Sequence, residues 1–572
     1  MPDSLNTPTV TPLIVLKIGG SVLATDRDIR IATHEIYRWI RRGFKVVAVV
    51  SAIKGRTDAL LKQANTYGDS PEALAQLCAT GEHEAVALLG LACDRAGLAV
   101  RTLDAAAVGI RSRGSLLDAE PVSLNAKSIL DDLSQASVTI VPGFIGRSEQ
   151  GQTTLLGRGG SDLSAIFIAH VLGARCRLIK DVSGLFDRDP LQQGARRYER
   201  VSWTTLKTIN GKVLQAKAAA CSLRYRQPFE IGAPLSDDVT LIGGEVTSFT
   251  STFAETAPLR VALCGCGVVG QGVYQALSEL PEKFSIVSVL VRDHAKAAAA
   301  GIPHAIIAQS WQAALAARPE IVIEVVGGIN PACDILAAAL ADSREIVSAN
   351  KAVIASYGPQ FATHFGKHAV RCSASVGGAV PVLELLEQSP DRIVRIEGIL
   401  NGTTNYILTK LAEGVSFDDA LKQAQEFGFA ERDPSRDLGG LDAADKLAVI
   451  AQRIFGINGL NVDCQVLSHE SFLFAQKPDC VVRHVAELAI TPTGAKASVR
   501  LRAIPLDQPL AAINNERNGV SWTTIRGETF SVQGKGAGRW PTTQAVVADC
   551  LDVFAAHVAR TTELALESGA VS

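Results

Sequence analysis

The sequence predicts an α/β protein made of two successive blocks, each a mostly parallel sheet covered by helices on both faces. Three observations point there. Each block opens with an apolar strand that runs into glycines, LIVLKIGGS (13–21) in the first and the run 259–263 before Gly265 in the second. Apolar runs of strand length, such as 45–51 and 138–144, alternate with helical stretches such as 72–96 and 162–172. The chain also has 572 residues, more than a single hydrophobic core covers.

Composition narrows the function classes. Hydrophobic residues make up 47% and charged residues 20%, a globular balance. The 56 Lys and Arg against 58 acidic residues leave a net charge of -2, which offers no footprint for nucleic acid or for an anionic membrane surface. Anionic small molecules then need local basic sites. Residues 1–12 lack a charged stretch followed by an apolar one, and apolar runs such as 46–50 are far short of a membrane span, so a cytoplasmic location is expected. Eleven cysteines are scattered, and the nearest pair, Cys264 and Cys266, sits in a glycine turn. In a reducing compartment they read as small hydrophobes, with a redox switch as the alternative.

The stretch 244–258 is rich in Ser, Thr, Glu and Ala, lacks amphipathic period and ends in Pro258. It places a linker at 246–257, after a first domain at 12–245. Directly after it, the strand 259–263 runs into Gly265-Cys-Gly267-Val268-Val269-Gly270 and a helical stretch at 271–280. In that context Gly-x-Gly-x-x-Gly is a dinucleotide turn, and a Rossmann domain is expected over 258–390. The glycines permit a tight turn and close approach to pyrophosphate, and the helix start supplies free N–H groups. The next strand ends at Arg292, where NAD enzymes usually carry an acidic residue for the ribose hydroxyls. An arginine suits a 2′-phosphate, with Lys296 in support, and predicts NADP(H) in preference to NAD(H). The competing reading puts Arg292 on a solvated strand end beside Asp293.

The segment 424–446 holds Glu431, Asp433, Asp437 and Asp442 ahead of Lys446. The i, i+4 spacing of Asp442 and Lys446 puts both on one helix face. Its bland reading is a solvated acidic loop followed by a surface helix. The wider pattern, Gly-Phe-Ala-Glu-x-Asp-Pro-x-x-Asp-Leu-x-Gly-x-Asp-x-x-x-Lys, resembles the signature of homoserine dehydrogenases. VVGGINPA (325–332), SANKA (348–352), SVGGAVP (375–381), GILNGTTNYIL (398–408) and GKGAGRWPTTQAVVAD (534–549) follow in the same order.

That resemblance covers about residues 258–572 and implies NAD(P)H-dependent reduction of aspartate semialdehyde to homoserine. It implies an α+β substrate-binding and dimerisation domain at 391–545, and a helix at 546–572 returning to the nucleotide domain. It makes Lys446 the acid–base residue and Lys351 its neighbour on the substrate. Glu431 and Asp442 would hold the substrate ammonium, Asp437 would organise the lysines, and Gly402 and Thr403 would contact substrate. Gly327, Gly328 and Gly536 would line the cofactor. A monovalent cation site would fall to Val376, Gly378 and Val380, but Ser373 stands where relatives carry the liganding Glu, leaving neutral oxygens only. Phe429 replaces a Tyr of some relatives. A homo-oligomer, dimer or tetramer, is implied as well.

In the first block, KIGGS (17–21), VSAIKGRTD (50–58) and GRGGSD (157–162) put glycines after strands or before a helix, where backbone N–H groups approach phosphate oxygens. The bland reading is a set of tight strand–helix turns. With Gly81-Glu82, PGFIG (142–146) and GKVL (211–214), they resemble the amino-acid kinase family, aspartate kinases in particular, over about 12–245. The fold implied is an open α/β sheet. Lys17 and Lys212 would neutralise phosphate charge, with Gly19, Gly20 and Asp181 at ATP. Arg158, Glu82 and Ser21 would bind aspartate, and Asp162 would hold Lys17. Magnesium would travel with ATP.

This chain departs from the aspartate kinase pattern at Ile18, at Ser21-Val22, at Lys180-Asp-Val-Ser-Gly184 and at Leu191. Two readings therefore remain open for this block: an active aspartate kinase, or a non-catalytic scaffold or oligomerisation module. The short stretch 246–257 leaves no room between the blocks for a regulatory domain, so weak or absent feedback by threonine or lysine is expected.

Overall fold

The computed structural model describes residues 11–190, 192–209, 214–250, 256–299, 301–366, 369–492 and 494–567. They form two compact units, the first drawn from residues up to 254 and the second from 255 onward, with 95–98 grouped with the second.

In the first unit the strand Leu13–Ile18 pairs in parallel with Lys45–Val50 on one side and Arg175–Ile179 on the other. The first two are near-continuous apolar runs of the sequence, and they lie buried inside a nine-stranded sheet. The register sets Lys17 against Leu178 and Ile18 against Ile179, so that Lys17 and the residue just beyond the neighbouring strand, Lys180, meet at one edge. Helix Gly160–Leu172 is buried from Gly160 through Ala169 and brings Asp162 to the same edge from its first turn. Ser248–Phe249, within the stretch read as linker, pairs antiparallel with Tyr198–Val201. Phe249 stacks on Tyr198, with ring centroids 4.4 Å apart, and the Arg196 guanidinium lies over the Phe249 ring, 4.0 Å from its centroid. A two-residue edge strand carries no periodicity, so its polar neighbours hid it.

The second unit contains a six-stranded parallel sheet, in the order Ile307–Ala308, Phe284–Leu290, Leu259–Cys264, Ile321–Glu324, Glu345–Ser348, Val370–Arg371. Numbered along the chain, that is 3-2-1-4-5-6, the Rossmann order, which reverses direction between Leu259–Cys264 and Ile321–Glu324. A second, mainly antiparallel sheet follows, built on Ile393–Ile399, Cys480–Thr491, Gly494–Pro505, Arg517–Thr524 and Thr529–Lys535. Helix Leu441–Phe455 buries one face, including Leu447 and Ile450, in the shared core of this unit.

Helix Arg539–Glu567 packs on helix Val268–Ser278, where Phe554 meets Phe284 edge-on at 5.9 Å. It begins several residues ahead of the 546 expected from sequence. Pro541 falls in its first turn, which tolerates proline because the N–H groups there have no partner within the helix. Among the described residues, no helix is long and apolar enough to cross a membrane.

The dinucleotide turn depends on missing side chains. A Cβ at Gly270 would lie 2.1 Å from the Gly265 carbonyl oxygen, and one at Gly265, at φ +104, would lie 2.7 Å from the Val325 carbonyl oxygen. Gly270→Ala should therefore force the turn open. Titration of the purified variant with NADPH should show affinity reduced at least tenfold, with a lower melting temperature.

Candidate active sites

At the crevice where the strand order of the second unit reverses, Gly267 caps helix Val268–Ser278 and has nothing within 4 Å of the position a Cβ would take. Its open face and the free N–H groups of the helix start form a cradle that fits a pyrophosphate. Val268 is exposed at its rim, and the Val269 carbonyl accepts from Thr543. Gly327 and Gly328, at φ +79 and +75, likewise face open space across the crevice. Arg292 is exposed beyond strand Phe284–Leu290. Lys296 lies on helix His294–Ala299, and its side chain is outside the described part of the structure. A Cβ on Gly536 would overlap the Asn518 side chain, and one on Gly378 would lie 2.7 Å from the Gly536 backbone.

Glu324 was not singled out in the sequence. It is fully buried, and it accepts from the Val326 N–H (2.8 Å), Ser348 Oγ (2.7 Å) and Asn350 Nδ2 (3.3 Å). Asn350 also donates to the Gly328 carbonyl at 2.6 Å and caps helix Lys351–Phe365. One carboxylate thus ties the 325–328 loop to the helix that begins with Lys351. An acidic residue closing the apolar strand IVIE was the available signal.

The structure brings Lys351, Asp442 and Lys446 together. Asp442, on helix Leu441–Phe455, binds Lys351 through one oxygen and Lys446 through the other, the latter at 2.9 Å. Lys446 also donates to the Leu400 carbonyl at 2.6 Å and is buried, whereas Lys351 is partly exposed. Burial opposes ionisation of Asp442, but Lys446 and Lys351 together hold its carboxyl well below the usual range. Asp442, not Asp437, therefore organises the lysines, because a single helical turn separates it from Lys446.

Asp437 is bound instead by Asn401 Nδ2 (2.7 Å) and by Thr403 Oγ1 (3.4 Å). Burial, and then the like charge of Asp442, push its pKa up. Thr403 also donates to the Phe429 carbonyl at 2.5 Å, and a Cβ at Gly402 would meet the Glu516 carbonyl at 2.7 Å. Glu431 is exposed, its carbonyl accepting from Gln425. At the expected cation segment, Val376 and Val380 are buried, and the Val380 carbonyl accepts from Val382 N–H at 2.8 Å. Ser373 bonds two carboxylates, Glu384 and Asp549, the latter at 2.7 Å.

The first unit holds its own cleft. Lys17, Glu82, Arg158, Asp162 and Lys180 line it. Lys17 lies 2.7 Å from one oxygen of Asp162, and Lys180 lies 2.6 Å from the other. Burial and the neighbouring Lys17 lower the Lys180 pKa. Gly20 lets the loop close, since a Cβ there would lie 2.7 Å from the Ala52 carbonyl oxygen, and a Cβ on Gly19 would lie 3.1 Å from Lys17 Nζ. Glu82 is buried and accepts from Ala52 N–H at 3.2 Å; burial raises its pKa to about 7. Ser21, Arg158 and Asp181 are exposed at this end of the sheet. Lys212, like Leu191, lies outside the described residues.

A 3-2-1-4-5-6 parallel sheet with a glycine cradle, joined to a buried lysine–carboxylate cluster, defines an oxidoreductase that uses a nicotinamide dinucleotide. Comparison with known proteins agrees. The family model "Homoserine dehydrogenase, NAD binding domain" matches residues 265–373, "Homoserine dehydrogenase" matches 381–551, and "Amino acid kinase family" matches 12–222. The homoserine dehydrogenase of Synechocystis sp. is 37% identical over 317 residues, 52% of this chain and 73% of its own length. That of Bacillus subtilis is 33% identical over 316 residues, again 52% and 73%. The crystal structure of a homoserine dehydrogenase from Thiobacillus denitrificans is 30% identical, covering 53% of this chain and 74% of that one, with a TM-score of 0.49. The chain belongs to the homoserine dehydrogenase family, with an amino-acid kinase domain fused ahead of the dehydrogenase.

Removing the shared carboxylate should strand two cations. Asp442→Asn is expected to abolish most dehydrogenase turnover and to cost roughly 3 kcal/mol of stability, as breaking a buried ion pair does. Urea unfolding of the variant, followed by tryptophan fluorescence, measures the second effect.

Proposed function

We propose that the second unit reduces L-aspartate 4-semialdehyde to L-homoserine, with NADPH preferred over NADH, and that the first unit phosphorylates L-aspartate with ATP and magnesium. The observation that carries the dehydrogenase reading is the Lys351–Asp442–Lys446 cluster, joined through Asn350 and Glu324 to the glycine loop of the nucleotide crevice. The bound dinucleotide supplies the hydride. Lys446, held at Nζ by Asp442 and by the Leu400 carbonyl, has one N–H left to give its proton to the forming alkoxide. Lys351 neutralises charge on the same oxygen. Asp437, Thr403 and Glu431 receive the amino-acid end of the substrate. Gly265, Gly267 and Gly270 take the pyrophosphate, and Arg292 takes the 2′-phosphate.

For the kinase, Lys17 and Lys180 are poised to share phosphate charge, and Lys180 takes a place that threonine fills in the aspartate kinase pattern. Glu82 and Arg158 provide a carboxylate and a guanidinium for an amino acid that carries both charges. A homo-oligomer is the assembly proposed.

Both activities should appear on the intact chain: NADP-dependent oxidation of homoserine, and ATP- and aspartate-dependent formation of a hydroxamate. Lys446→Ala should lower dehydrogenase kcat by about three orders of magnitude while NADPH binding persists, and the KM for NADPH should lie below that for NADH. Absence of hydroxamate from a chain active as a dehydrogenase would assign the first unit to scaffolding.

The ammonium of aspartate needs the Glu82 carboxylate charged. Because its pKa is raised to about 7, the charged fraction falls as pH drops through that value. The KM for aspartate should therefore rise between pH 8 and pH 6, and Glu82→Gln should remove that dependence along with most of the affinity.

A further inference from the structure

We propose that Asn401 is a positioning residue of the dehydrogenase site: its amide nitrogen ties Asp437 to Asp442, so that Asp437 can take the substrate's ammonium while Asp442 holds the two lysines. The inference rests on the dehydrogenase reading above and extends it to a residue whose side chain had no assigned part.

Asn401 is buried, 6% exposed, and its side chain is fully used. Nδ2 donates to Asp437 Oδ1 at 2.7 Å and to Asp442 Oδ2 at 3.0 Å, one N–H for each carboxylate. Oδ1 accepts from Thr404 N–H at 2.9 Å, capping helix Gly402–Ala412. The amide cannot turn over: rotation would point its oxygen at two carboxylates and its NH2 at a backbone donor. The helix start that presents Gly402 and Thr403 and the spacing of the two acids are therefore fixed by one group.

The need for that group follows from charge. Two carboxylates side by side repel, and one of them tends to take a proton. Asp442 is compensated by direct ion pairs to Lys351 and Lys446. Asp437 has the hydrogen bond of Asn401, with Thr403 Oγ1 3.4 Å from its other oxygen and both lysines acting on it only at longer range. The groups facing it are thus Asp442, Lys351, Lys446, Asn401 and Thr403. Without the Asn401 amide, Asp437 keeps the burial and the like-charged neighbour but loses its shortest donor. A protonated Asp437 offers an ammonium group only a neutral acceptor, without the charge that holds it.

The test uses two substitutions that keep the helix cap, since serine and aspartate both cap well. Asn401→Ser removes the bridging donor, and Asn401→Asp puts a third carboxylate between the other two. In the full chain, Asn401→Ser should raise the KM for homoserine about tenfold or more, the usual loss for a hydrogen bond to a charged group, while Kd for NADPH and the melting temperature stay at wild-type values. Asn401→Asp should lower kcat/KM roughly 100-fold, two such tenfold steps, and move the acid limb of its pH profile upward. Wild-type KM for homoserine in both folded variants would overturn the proposal. So would a parallel loss of NADPH affinity, which would mark a general structural role. A wild-type chain without homoserine-dependent activity would instead remove the dehydrogenase reading itself.

Discussion

Two ammonium groups brought together in a poorly hydrated cleft repel each other, and each tends to lose either its proton or its position unless an anion stands between them. Each unit of this protein meets that constraint with one buried aspartate. Asp162 separates Lys17 from Lys180, and Asp442 separates Lys351 from Lys446. The fold serves those contacts. In the first unit, adjacent parallel strands end in register so that the two lysines flank a carboxylate arriving from a helix start. In the second, the aspartate and one lysine share a helix face, and the other lysine begins a helix fixed by its own cap. In both clusters one carboxylate is shared by two lysines, one on each oxygen.

Buried carboxylates with neutral partners do a different job. Glu324 has no cation among its bonded groups; it collects a backbone N–H, a hydroxyl and an amide. Such a group sets geometry more than charge, because each donor must stay in place to keep a buried anion solvated. The nucleotide loop and the helix carrying Lys351 are thereby coupled, so that the cofactor crevice and the acid–base cluster share one support.

Much of this was legible in the chain. The buried parallel strands are unbroken apolar runs, the glycine turn follows a strand and opens a helix, and Asp442 with Lys446 is a helical i, i+4 pair. What stayed hidden depends on partners far apart in sequence. Asn401 carries no signal of its own in the chain, because the carboxylates it bridges lie 36 and 41 residues away. Ser373 reads as the loss of an acidic residue, yet Glu384 and Asp549, 11 and 176 residues away, bring two carboxylates to it. The exchange of roles between Asp437 and Asp442 has the same origin, since Lys351 lies 91 residues from the Asp442 that binds it.

The helix Arg539–Glu567 covers a nucleotide-binding sheet whose strands all lie between residues 259 and 371. That sheet therefore waits, during synthesis, for a cover made well over a hundred residues later, with the entire antiparallel sheet translated in between. The strands of the first unit's large sheet all lie between Leu13 and Phe249. On a ribosome the kinase-type unit can reach its native packing while the dehydrogenase is still an incomplete, partly exposed intermediate. Order along the chain thus leaves the nucleotide-binding sheet partly uncovered until its far helix has emerged.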